Sequence, residues 1–367
     1  MSIPVEHTDP INLQILSVAE DQISGFHPYP FAAIAEVSGI EEEVVRERLL
    51  AMKKAGVVRR VRQTLLATRL APGALVAWKI AEDKLEEAFQ FLVENDPFTG
   101  HVVLRHAETQ SPGHDYRLWT TLKVPQGNTV EEHCRVLKGI IGAEDFVPLP
   151  TRGVFALGVG HIRRRGLQPG DKREDIPVMQ LSDVVELNQE EWTVLLSLKE
   201  ELKEEEFVSC PWEKRAEAVG MTLDRYCDVA HGLDEKKVIG RFATFLEHVK
   251  PSAGGHVVTS HNGLFHWTVP QGMEKRAGEQ VGRHICMTHC YWREGGEKFG
   301  GAQIMGVVHG LDREGVLAHK AAIDAHLKEM GIPVLHTAVF WGERSEIKPS
   351  EISPEIYNVW NSRYSPK

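Results

Sequence analysis

This chain repeats itself, and that limits what it can fold into more than any single motif does. Pro30, Phe31, Ala35, Glu36, Gly39 and Arg60 recur 181 positions later as Pro211, Trp212, Ala216, Glu217, Gly220 and Arg241. Trp78, His101 and Arg105 recur as Trp267, His289 and Arg293, at an offset of 188 or 189. A constant offset followed by a single jump predicts a duplicated domain pair with one loop inserted in the second copy. Both halves are expected to share a fold, with His-x-x-x-Arg at the same place in each.

With 367 residues, 42% hydrophobic and 26% charged, the chain has the composition of a globular protein and room for two or more domains. No apolar stretch approaches the roughly 20 residues a membrane helix needs. The N-terminus lacks the basic start and apolar core of a secretory signal, so the expectation is a cytoplasmic protein that does not engage a membrane. Five cysteines (Cys134, Cys210, Cys227, Cys286, Cys290) are an odd number without paired spacing, which fits a reducing compartment better than a disulfide framework. The net charge of −10 has the wrong sign for nonspecific attraction to DNA.

Ile11, Leu13, Ile15 and Leu16 predict a first helix, and Phe31, Ile34, Ala35 and Val37 a second. Ser38 is expected to cap a third helix, with Glu41 closing a capping box, Val44, Val45, Leu49 and Met52 facing inward, and Gly56 ending it. Residues 57–61 then read as an extended wing, completing a winged helix-turn-helix. From Ala74 the period changes. Strands are expected at 75–80, 100–105, 116–124 and from 147, with helices at 85–93 and 130–141. This βαββαβ order predicts a ferredoxin-like unit, an antiparallel sheet with both helices on one face. Its other face is free to bind a ligand or to pair, including with a second chain in a homodimer.

The expected fold class is therefore α+β, a tandem duplication of winged helix-turn-helix plus ferredoxin-like units. The first copy takes 1–72 and 73–162, and a charged linker with Pro and Gly covers 163–180. The second copy takes 181–247 and 248–342. An irregular, partly aromatic tail closes the chain at 343–367.

In the strand His289-Cys290-Tyr291-Trp292-Arg293, alternation puts His289, Tyr291 and Arg293 on one face. An imidazole can pass a proton near neutral pH, a phenol can donate a hydrogen bond, and a guanidinium can grip a carboxylate. Together they suit an acidic ligand. The first copy supplies His101, Val103 and Arg105, without the phenol. The competing reading is that these groups pair across a subunit interface.

His-Cys-Tyr-x-Arg followed by Val307 to Gly310 (Val-Val-His-Gly) resembles the siroheme decarboxylases, a branch of the Lrp/AsnC-like fold. Pro30-Phe31-x-x-Ile34-Ala35, residues 56–60 (Gly-Val-Val-Arg-Arg) and Leu118-Trp119 carry the same resemblance. Over residues 10 to 340 the chain looks like two such subunits fused. The family usually has His-Asn-Tyr-x-Arg where the first copy has residues 101–105, and Trp-Pro-Tyr-Asn-Leu where residues 297–304 stand. The resemblance implies removal of acetate carboxyl groups from siroheme to give 12,18-didecarboxysiroheme, on a route to haem or haem d1. It implies no added cofactor, the iron tetrapyrrole being substrate. On this reading His289 is the proton donor, Tyr291 orients it, and His101 assists. Arg293 and Arg105 bind peripheral carboxylates, and His114, Tyr116 and His309 complete the binding set.

Two other readings compete. A transcription regulator needs cations along the exposed face of its recognition helix. Here residues 41–48 mix Arg46 and Arg48 with four glutamates, and 222–228 offer one arginine, so DNA is not the expected partner. A tetrapyrrole-binding protein without decarboxylase activity is the second. His284, Cys286, His289 and Cys290 include metal-ligand types at a spacing that diverges along a strand, and no metal site is expected there. His248, His256, His261 and His266 read as a histidine-rich surface loop and the strand after it. Residues 200–206 read as the solvated acidic end of a helix.

Overall fold

The computed structural model describes residues 3–66, 70–71, 73–158, 160–164, 166–180, 184–247 and 250–364. His248 lies outside these. The first half of the chain runs α1 (Pro10–Ala19), β1 (Ile23–Ser24), α2 (Pro30–Ser38), α3 (Glu42–Lys54), β2 (Val58–Leu65), β3 (Gly73–Lys79), α4 (Leu85–Glu94), β4 (Thr99–Ala107), β5 (Leu118–Lys123), α5 (Val130–Ile141) and β6 (Asp145–Leu157). The second half runs α6 (Gln189–Lys199), α7 (Glu213–Ala218), α8 (Leu223–Glu235), β7 (Ile239–Leu246), β8 (His261–Thr268), α9 (Glu274–Gly282), β9 (Met287–Arg293), β10 (Ile304–Gly310), α10 (Arg313–Glu329), β11 (His336–Ile347) and α11 (Pro354–Tyr364). Apart from β1 and α11, the second series follows the first element for element.

The chain divides into two compact units that do not follow its two halves. One gathers residues 1–67, 158–166 and 185–260, the other residues 68–157, 167–184 and 261–367. The first unit holds both helical triplets. Strands β2 and β7 pair with each other antiparallel, Val58 opposite Leu246 and Gln63 opposite Phe242, and β1 completes a three-stranded sheet. Phe31, Ile34, Val45, Leu49 and Met52 are fully buried as their spacing requires, whereas Val44 is half-buried and Val37 is exposed.

The capping box expected at Ser38 does not form. Helix α2 continues through Ser38 and ends at Gly39 with φ +69, so Ser38 lies too early to cap α3, and Glu41 holds that place with no side-chain cap bond. A capping box forms instead at α6, between Asn188 and Glu191. The acidic run at 200–206 also departs from expectation at its end. Glu206 is buried, accepting from Arg215 Nε at 2.6 Å and Nη2 at 2.9 Å.

The second unit is a closed eight-stranded barrel, in the order β10-β8-β11-β4-β5-β3-β6-β9. Each half supplies one four-stranded antiparallel sheet, and the pairs β4 with β11 and β6 with β9 close the ring. The sheet face expected to stay free therefore becomes the barrel interior. Outside, Trp78, Phe89, Leu92, Leu118 and Leu137 seal α4 and α5 onto the first sheet, and Phe265, Trp267, Val281, Ile323 and Leu327 seal α9 and α10 onto the second. The tail is regular where irregular chain was expected. Strand β11 continues to Ile347, and α11 buries Tyr357 and Trp360 against Phe98 and His133. Lys348 Nζ donates to the carbonyls of Leu92, Val93 and Asp96 at 2.7, 2.6 and 2.6 Å, tying the tail to the end of α4.

Candidate functional site

Alternation along the eight strands sends every second side chain into the barrel, and the two ends of the interior differ. Toward one end Tyr116, Trp119, Met305, Phe340 and Phe299 form a buried apolar plug, with Trp119 and Phe299 rings 5.3 Å apart at 74°. Phe299 comes from a single 3-10 turn, Glu297–Phe299, and Gly113 makes room for it. A Cβ at Gly113 would meet the Phe299 ring at 2.3 Å, at a φ of +84 that already favours glycine. Away from the plug the inward positions His101, Thr121, Asn262, His289, Tyr291 and His309 are half-buried. The lumen is thus packed at one end and accessible at the other.

On β9 the three polar residues stack along one wall. The His289 and Tyr291 rings lie 6.1 Å apart and 22° from parallel, and the Arg293 guanidinium carbon stands 4.5 Å from the Tyr291 ring centre. Thr288 Oγ lies 3.1 Å from His289 Nδ1. Arg293 Nη1 donates to the Leu149 carbonyl at 2.8 Å. In the order of the barrel, β4 stands four strands from β9 by either route, so His101 and Arg105 project from the opposite wall. Arg105 Nη1 donates to Asn262 Oδ1 at 3.0 Å and to the Phe340 carbonyl at 3.4 Å.

Neither arginine has a carboxylate partner among the described residues, yet Arg105 is 5% exposed and Arg293 7%. Burial pulls both down to about 10, well below the ordinary arginine value. A buried guanidinium hydrogen-bonded only to neutral oxygens is costly to the empty protein and favourable to an incoming anion. Two of them on facing walls can hold a ligand with several acidic groups.

Comparisons with known proteins bear on the fold and on the class of protein. An AsnC-like ligand binding domain matches residues 71–155, the first sheet of the barrel with its helices. The siroheme decarboxylase of Hydrogenobacter thermophilus is 26% identical over 291 residues, covering 78% of this chain and 79% of that protein. The chain is thus similar to a siroheme decarboxylase over most of its length. The crystal structure of the siroheme decarboxylase NirDL has the same fold, with a TM-score of 0.66 at 20% identity over 95% of this chain and 96% of that one. NirDL in complex with an iron-uroporphyrin III analogue matches with a TM-score of 0.64, also at 20% identity.

Of the site residues expected from the sequence, the barrel gathers His101, Arg105, His289, Tyr291, Arg293 and His309 around one lumen. His114 and Tyr116 stand apart. His114 is exposed, with Nδ1 3.0 Å from the Ser111 carbonyl, and Tyr116 belongs to the plugged end, where its ring packs at a tilt 5.2 Å from that of Phe299 and its hydroxyl donates to Asp145. Sequence reasoning missed Asn262, which contacts both Arg105 and His309. A lone asparagine near the start of a strand carries no pattern, and only the register of four strands shows what it touches. Cys290 points out of the barrel toward the Gly278 carbonyl, opposite to His289, as strand alternation requires. Among the described residues no three His, Cys, Asp or Glu groups lie together as a metal site. No described helix is long and apolar enough to cross a membrane.

His266 also departs from the histidine-rich surface expected around it. It is 1% exposed at the plugged end, its ring 5.4 Å from His336 and 5.5 Å from Phe340. Desolvation, reinforced by His336, lowers its pKa from 6.5 to about 3. The unfolded chain takes up this proton near 6.5 while the folded chain does not until about 3, so stability is full above that window and lost as pH falls through it. His284, also lowered to about 3, acts in the same direction. The expected result is a melting temperature that drops on acidification below about 6.5, with a shallower slope for His266→Leu. Thermal melts across this range check it, and equal slopes for the two proteins count against it.

Proposed function

We propose that this chain is a siroheme decarboxylase that removes acetate carboxyl groups from siroheme to give 12,18-didecarboxysiroheme. The observation that carries the reading is the pair of buried arginines without carboxylate partners on facing walls of a half-open lumen, one of them beside an imidazole and a phenol. Relatives named siroheme decarboxylase, and a fold shared with an enzyme crystallised with an iron-uroporphyrin analogue, support it.

In this reading Arg293 and Arg105 bind the peripheral carboxylates, which places one acetate arm beside His289. The bond from the arm's methylene to its carboxylate carbon breaks, and carbon dioxide leaves. The electron pair passes into the conjugated ring and returns to the methylene carbon as His289 delivers a proton, leaving a methyl group. The change is redox-neutral and needs no co-reactant beyond the proton. Tyr291, stacked between His289 and Arg293, orients the imidazole, and His101 assists from the other wall. His309 completes the binding set. We read the helical units as winged helix-turn-helix scaffolds and the sheets as ferredoxin-like units of a duplicated ancestor.

Regulation of transcription is the weaker reading because four of the cations it would use are engaged by carboxylates. Arg46 pairs with Glu42 at 3.3 Å, Arg48 with Asp9 at 3.1 Å, Arg60 with Glu201 at 2.9 Å, and Arg225 with Glu190 at 2.5 Å. The direct test is anaerobic incubation of the full chain with siroheme, followed by mass analysis. Loss of carbon dioxide units supports the assignment. Binding with no mass loss reduces the protein to a tetrapyrrole carrier, and absence of binding removes the reading.

A further inference from the structure

We propose that Asn262 is a positioning residue of the lumen, which braces Arg105 and dictates which ring nitrogen of His309 carries the proton. The inference rests on the lumen being the tetrapyrrole site.

Four strands contribute one row: Arg105 on β4 lies opposite Gly342 on β11, Gly342 opposite Asn262 on β8, and Asn262 opposite His309 on β10. Arg105 reaches past β11 to Asn262 because position 342 has no side chain. A Cβ there would come within 3.3 Å of Asn262. The guanidinium can only donate, so the amide must turn its oxygen toward Arg105, as the 3.0 Å contact requires. Its nitrogen then faces His309 Nε2 at 3.5 Å. An amide nitrogen can only donate, so Nε2 must accept, and the proton of a neutral His309 is confined to Nδ1. The donor-only character of one residue is thereby passed through an amide to an imidazole on another strand.

The mirror row lacks this brace. Arg293 lies opposite Thr151, Gly73 holds the place of Asn262 by the Trp78 to Trp267 offset, and Arg293 donates to a backbone carbonyl instead. The two arginines are therefore held differently, one by rigid backbone and one by a replaceable side chain. Among the described residues, the other titratable groups that the register brings near His309 on the lumen face are His289 on β9 and Arg105 on β4, while His261 on β8 faces outward against Trp341.

The test compares the full-length wild type with Asn262→Leu and Asn262→Asp. Nitrogen-15 NMR of the histidine rings, with His309 assigned by difference from His309→Gln, reads the tautomer without any tetrapyrrole present. Wild type should show His309 protonated at Nδ1. Asn262→Leu should shift it toward the Nε2 form, and Asn262→Asp, able to accept from both neighbours, should hold His309 doubly protonated about one pH unit higher. Anaerobic titration and turnover with siroheme should give roughly tenfold weaker binding for Asn262→Leu with turnover at saturation little changed. An unchanged His309 tautomer in Asn262→Leu, or wild-type binding in that variant while wild type itself binds siroheme, overturns the proposal. Failure of wild type to bind siroheme instead overturns the assignment of the lumen, and the ring-nitrogen measurement still decides the role of Asn262.

Discussion

Arg293→Ala should weaken siroheme binding about 10- to 100-fold, the loss expected when a charge-assisted hydrogen bond to a carboxylate disappears from a desolvated site. The same substitution should leave the empty protein's electrostatics easier rather than harder. Arg293 is 7% exposed with no carboxylate partner among the described residues, so its removal relieves a desolvation cost. Arg293→Met, which keeps much of the volume, separates the two effects. Its binding should fall as in Arg293→Ala while its melting temperature without ligand stays level or rises. Absorbance titration and thermal melts on the same samples check both. Tight binding by either variant, or a Met variant that melts much earlier, would mean that Arg293 supports the barrel rather than the ligand.

His289→Ala should lower turnover by roughly 100- to 10,000-fold, the usual contribution of a positioned proton donor, with siroheme affinity within a few-fold of wild type. The split follows from the geometry. Arg293 and Arg105 remain to hold the carboxylates, while the imidazole stacked on Tyr291 is gone. Single-turnover mass analysis under anaerobic conditions, set beside equilibrium binding, reads the two quantities separately. Turnover near the wild-type rate takes His289 out of the acid role and leaves Tyr291 or His101 as the donor to test.

Much of the architecture could be read from the residues because two periodicities are strong. The 181-residue offset matches α3 to α8 and β2 to β7, and the alternation in residues 289–293 puts an imidazole, a phenol and a guanidinium on one wall. Barrel closure was not legible. Whether the edges of two sheets meet depends on backbone hydrogen bonds between β4 and β11 and between β6 and β9, and no side-chain pattern encodes that choice. The tail did carry a signal that went unread. Tyr357, Trp360 and Tyr364 fall at helical spacing, and Pro354 opens the helix. Tyr116 misled for a different reason, since its nearness in sequence to the polar strand said nothing about which end of the barrel it would reach.

Strands β4 and β9 face each other across the ring, each bearing a histidine and an arginine, but Val103 stands where Tyr291 has a phenol. A flat guest entering between them meets a hydroxyl on one side and only an isopropyl group on the other. Two poses related by a half-turn are consequently unequal in energy, and the chain can impose a preferred sense of entry on a nearly symmetric ring.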